Sequence, residues 1–130
     1  MIGIDTKVFV RYIIQDDAEQ VRKATRFLER ECTIDNPGLV NSIVLCEMVW
    51  VLESVYRYSR QQVSIAIDAI LRAAQLKVEN SQDARAALGG YGAGADFADA
   101  LIAATNLRLG CEHTVTFDRA AGRRTGFLTL

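Results

Sequence analysis

The apolar positions of the chain fall into short runs separated by longer stretches of helical period. "MIGI" reads as a buried strand and "TKVFVRYII" as a short helix. "QDDAEQ" interrupts the pattern, and Asp17 followed by Gln20 predicts a capping box. The helix it opens would carry Val21, Ala24, Phe27 and Leu28 on one face. "DNPGLVN" predicts a turn and a short strand over 39–41, after which Ser42 would cap a helix running to about Tyr56. Ser59 and Gln62 form a second capping box, opening a helix through Ile67, Ile70 and Leu71. "LKVE" is a strand, and Ser81 opens a helix expected to end near Gly89 and Gly90. "GGYGAG" is expected to be a loop, because glycine weakens element interiors. Asp96 begins a helix that stops at Gly110, a C′ glycine, and "TVTF" and "FLTL" complete the strands.

Short strands alternating with longer helices predict an α/β fold with a parallel sheet covered by helices on both faces. No repeat or linker divides the 130 residues, so a single domain is expected. In such folds ligands bind beyond the carboxyl ends of the strands. Asp5 ends the first strand and Asp118 ends "TVTF".

Composition narrows the classes. Half the residues are apolar and about a quarter charged, which argues against disorder. The longest apolar stretch, Ile43 to Trp50, is broken by Glu47 and too short for a membrane span, and nothing marks export. Cys32, Cys46 and Cys111 are odd in number and widely spaced, as in a reduced cytoplasmic protein without a disulfide framework or zinc site. The net charge of −1 hides an arginine bias, 12 of 15 basic residues, with Arg119, Arg123 and Arg124 near the C-terminus. Arginine favours bidentate phosphate contacts.

The candidate chemistry is acidic. Glu47 lies in "SIVLCEMVWVLESV", a helix apolar on nearly every face, in the second turn after the "LVN" strand. Asp96 and Asp99 share the first turn of the next acidic helix, on one face. Each acid also has a structural use. Asp5 and Asp96 suit helix caps, Asp99 suits a first helical turn, and Asp118 suits an Asx turn in "FDRAAG". Convergence would be costly, since two carboxylates ~5 Å apart at an effective dielectric of ~20 repel by roughly 3 kcal/mol. A cluster of four persists only with protonation or a divalent cation, and oxygen-only donors select Mg²⁺ or Mn²⁺.

"IDTKVFVRYI", the Glu of "LCEMVWVL", "ADFADALIAATN" and "TVTFDRAAG" resemble, in order and spacing, the motifs of PIN-domain ribonucleases. More closely, they look like VapC-type toxins of toxin–antitoxin pairs. The resemblance implies a PIN-like three-layer fold, with a short four- or five-stranded parallel sheet between helices. It implies Mg²⁺- or Mn²⁺-dependent RNA cleavage, a homodimer, and inhibition by a small antitoxin. Carried over, the catalytic acids are Asp5, Glu47, Asp99 and Asp118. The metal ligands are Asp5, Asp99 and Asp118 with Asp96 as an additional acid. Thr6 and Thr116 match hydroxyls that orient those carboxylates. Arg119 and Lys7 are the expected RNA contacts. Lys7 stands where the family commonly has Asn, and its ammonium would compete with a cation at Asp5 or contact a phosphate.

Two other classes compete with the nuclease. A catalytically weak PIN domain would act as an RNA- or protein-binding module. A phosphoryl-transfer protein of receiver or phosphatase type would need a second acid two residues after Asp5, where this chain has Lys7. A dimer is expected independently from the 43–56 helix, where Val44, Trp50, Val51 and Tyr56 exceed one apolar stripe.

Overall fold

Five short parallel strands and seven α-helices build the protein in a computed structural model that describes all 130 residues. The chain forms two compact units, Met1–Ser81 and Gln82–Leu130.

The first unit alternates β1 (Ile2–Gly3), α1 (Thr6–Ile14), α2 (Ala18–Arg26), β2 (Gly38–Val40), α3 (Ser42–Ser54), α4 (Arg60–Arg72) and β3 (Leu76–Val78). Its strands pair in the order β1-β2-β3, all parallel, with Gly3 opposite Leu39 and Leu39 opposite Lys77. Strand β2 runs in the centre, and a methyl group at Gly38 would collide with Ile4, Cys32 and Leu76. Glycine lets those side chains close over the strand. Burial there pushes the Cys32 thiol up, in keeping with an inert core cysteine.

Local chemistry explains most boundaries. Ser59 and Gln62 form the reciprocal capping box. At Asp17 only half of the box forms: its carboxylate accepts from Gln20 N, while the Gln20 side chain accepts from Arg11. Helix α2 loosens into a π turn over Phe27–Glu31. The cap of α3 is Asn41, not Ser42, because the Asn41 amide oxygen accepts from Val44 N at 2.9 Å. That helix ends at Ser54, short of Tyr56, and Arg57 takes a left-handed conformation after it.

The second unit holds α5 (Ser81–Gly92), α6 (Phe97–Arg108), β4 (Thr114–Thr116), α7 (Arg119–Gly122) and β5 (Phe127–Thr129). Strands β4 and β5 pair in parallel, Val115 opposite Leu128. The strands therefore number five, but they hydrogen-bond as sheets of three and two, not as one continuous sheet. The expected "GGYGAG" loop is corrected as well, since α5 continues through Gly89, Gly90 and Gly92. Ala84, Ala87 and Tyr91 recur at helical spacing and are all buried, so their burial overrides the weak propensity of the glycines. Gly90 also has a packing role, because a Cβ there would stand 3.3 Å from that of Ala100 on α6. The buried Asp83 carboxylate receives Arg108 Nε at 2.7 Å, tying the start of α5 to the end of α6. No helix is long and apolar enough to cross a membrane.

Candidate active site

The turn between α5 and α6 positions two of the acids. Tyr91 and Phe97, both buried, meet edge to face at 6.0 Å across it. Between them Gly94 adopts a φ of +108°, and Ala95 N returns to the Gly90 carbonyl. This delivers Asp96 to the N-cap of α6, where Oδ2 accepts from Asp99 N at 3.0 Å. Asp96 thus has the expected capping role, with only one of its oxygens. Asp99 follows in the first helical turn, half-buried.

Asp118 arrives by another route. It stands two residues beyond β4, and its carboxylate Oδ1 accepts from Ala120 N and Ala121 N, at 2.8 and 3.1 Å, capping the short helix α7. The Thr116 hydroxyl, expected to orient a carboxylate, bonds the main chain instead: its Oγ1 accepts from Asp118 N at 3.0 Å.

Asp96, Asp99 and Asp118 line one cavity of about 500 Å³ in the second unit. Burial first, then the charges of Asp96 and Asp118, raise the Asp99 carboxyl above the ordinary value. Asp99 therefore feels the charge of both other acids. Most of the remaining wall is alanine and glycine, with Leu107 and Phe127 as the larger apolar members. Arg124 lines the same cavity. In sequence it was visible only as one of three C-terminal arginines; nothing local distinguishes it from Arg123.

The other expected residues lie in the first unit. Asp5 occupies the N-cap position of α1 but makes no side-chain cap hydrogen bond, so capping does not account for it. The adjacent Thr6 is buried, and its Oγ1 has no hydrogen-bond partner. A buried hydroxyl without a partner costs roughly 1–3 kcal/mol and calls for a compensating use. Glu47 is exposed, although nearly all the rest of its helix is apolar. With Ile43, Trp50 and Ser54 it forms the one exposed strip of α3. Lys7 is exposed, forms no ion pair, and lines a groove of about 320 Å³ with Arg11 and Lys23. Arg119, the first residue of α7, is exposed and also without an ion pair.

Nowhere do three His, Cys, Asp or Glu side chains gather tightly enough to enclose a metal ion. The donor chemistry of the cavity nevertheless fits Mg²⁺ or Mn²⁺. Such an ion is commonly held by one or two carboxylates, with waters and substrate phosphates completing its shell, and needs no all-protein cage. Asp96 and Asp118 each retain an oxygen that does no capping.

No curated protein and no solved structure matches the chain significantly. The family model of the PIN domain matches residues 2–127, nearly the whole chain, and the protein belongs to the PIN-domain family.

Proposed function

We propose that this protein is a Mg²⁺- or Mn²⁺-dependent endoribonuclease, the toxin of a VapBC-type toxin–antitoxin pair, acting as one domain over residues 1–130. PIN domains are in general metal-dependent nucleases. The observation that carries the reading is the crowding of Asp96, Asp99 and Asp118 around one cavity, with the Asp99 carboxyl raised by burial and by its acidic neighbours. A site that opposes the ionisation of one of its carboxylates is prepared for a cation.

Asp99 and Asp118 would hold the ion, with Asp96 beside them. When bound, it supplies an activated water and offsets charge building on the phosphodiester. The resemblance adds Asp5 and Glu47 from the first unit to the proposed set, and their contribution is read by substitution. Arg119 and Lys7, exposed cations without carboxylate partners, would contact the RNA backbone.

The test is cleavage of single-stranded and stem–loop RNA by the full chain. Activity should vanish in EDTA and return with Mg²⁺ or Mn²⁺. Cleavage unchanged in EDTA would defeat the metal mechanism, and RNA binding without cleavage under any metal would identify a binding module.

The toxin reading adds a cytoplasmic location, a small antitoxin partner and a homodimer. A short upstream reading frame whose product copurifies with this chain would support the antitoxin; a product that never associates would remove it. Support for the dimer comes from α3 and the residue after it, where Ile43, Trp50 and Val55 are 77%, 61% and 58% exposed. Val44, counted from the sequence among the surplus apolar residues, belongs instead to the core. Light scattering giving a monomer mass at micromolar concentration would exclude the dimer.

A further inference from the structure

Arg124 combines three properties. It lines the cavity that holds Asp96, Asp99 and Asp118, yet it forms no ion pair with any of them. Its Nη1 instead donates to the Ala93 carbonyl at 3.2 Å. Its Nη2 lies against the backbone at Gly94, where a Cβ would stand only 3.1 Å away. Gly94 at a φ of +108° gives that approach its room. The guanidinium is thus held at the turn that places Asp96, leaving the carboxylates un-neutralised.

A guanidinium has five N–H donors, and one carbonyl engages one of them. A cation beside unpaired acids is matched by a ligand that brings its own negative charge and shares the cavity with a metal. A phosphodiester has that chemistry, and the planar fork of arginine suits two of its oxygens.

We propose that Arg124 is a phosphate-binding residue of this cavity, holding a backbone phosphate of the RNA strand beside the bond to be cut. The proposal rests on RNA as the substrate of the site. It separates Arg124 from Arg123, which does not line the cavity.

The experiment measures binding of a fluorescein-labelled single-stranded RNA to the full chain by anisotropy, in EDTA so that turnover does not intervene, at several salt concentrations. Arg124→Gln keeps a donor for the Ala93 carbonyl while removing the charge. It should weaken binding at least about tenfold. The slope of log affinity against log salt should become shallower by about 0.7, the share of one phosphate contact on a single strand. Arg124→Lys should keep the parental slope but recover only part of the affinity. Parental slope and affinity in Arg124→Gln would overturn the proposal, including where the variant merely melts lower, since a clamp on the 93–94 turn does not change the salt slope. An Arg124-dependent slope in a protein that never cleaves RNA would sustain the proposal and defeat the nuclease reading. A parent that binds no RNA would overturn both.

Discussion

In the first unit Asp5 stands at the head of α1 with extended backbone angles, φ −82° and ψ 156°, and its carboxylate makes no cap bond. In the second unit Asp96 and Asp118 stand at the heads of α6 and α7 with similar angles, φ −65° and ψ 136°, and φ −76° and ψ 115°. Both of those cap their helices. The residue type and the backbone are alike, and the use differs. A cap engages one carboxylate oxygen and stabilises local structure, so Asp96 and Asp118 have a structural reason to be present whatever the protein does. Asp5 has none in its own helix. Asp99 lies between these cases: its side chain makes no cap bond, and burial and like charges oppose its ionisation.

The largest effect should come from Asp99. Asp99→Asn is expected to lower cleavage by roughly 10²–10⁴-fold. In metal-free buffer it should raise the melting temperature. The folded protein holds the Asp99 carboxyl above its ordinary value of 3.8. Its favourable contribution to stability is therefore complete below about pH 3.8 and lost as the pH rises through the folded value. The stability gap between variant and parent should open with rising pH over that window and narrow when Mg²⁺ is added. A variant that melts below the parent at neutral pH in EDTA would contradict the crowding of the cavity.

Caps give the next effect. Asp118→Ala removes two backbone hydrogen bonds and should cost about 1 kcal/mol. For a chain of this size that lowers the melting temperature by about 3–5 °C. Asp5→Ala has no cap bond to lose and should stay within about 0.5 kcal/mol of the parent. Both are expected to impair cleavage. Equal destabilisation by the two, measured by urea melts, would erase the distinction between the units' aspartates.

Lys7 gives the smallest. An ammonium ~4 Å from a carboxylate, at an effective dielectric of ~20, would interact by roughly 4 kcal/mol and compete measurably with a cation. Lys7 forms no ion pair with any acid, so the competition expected from sequence lacks its contact. The Mg²⁺ concentration at half-maximal cleavage should agree within about twofold for Lys7→Asn and the parent, while the variant's rate should be lower at every Mg²⁺ concentration through the lost RNA contact. A tenfold shift, about 1.4 kcal/mol, would show that the ammonium reaches the acids in solution.

What was legible in the sequence is what neighbours along the chain decide. Strand and helix periods, the Ser59–Gln62 box, the stop at Gly110 and the positions of the strand-end acids depend on residues within a few positions of one another. The glycine run failed as a loop because burial of Tyr91 and close packing of Gly90 on Ala100 act across helices, which local propensity does not register. Nearly all of the Glu47 helix is apolar in sequence, yet four positions at helical spacing, 43, 47, 50 and 54, remain outward in the fold. The order and type of the acids were set by sequence alone, together with the family. Which of them share a cavity, which oxygens are taken up by caps, and that Arg124 rather than Arg123 stands beside them were decided only by tertiary structure. Carboxylate repulsion and guanidinium reach depend on distances of a few ångströms between side chains far apart in the chain, and only the folded backbone sets those distances.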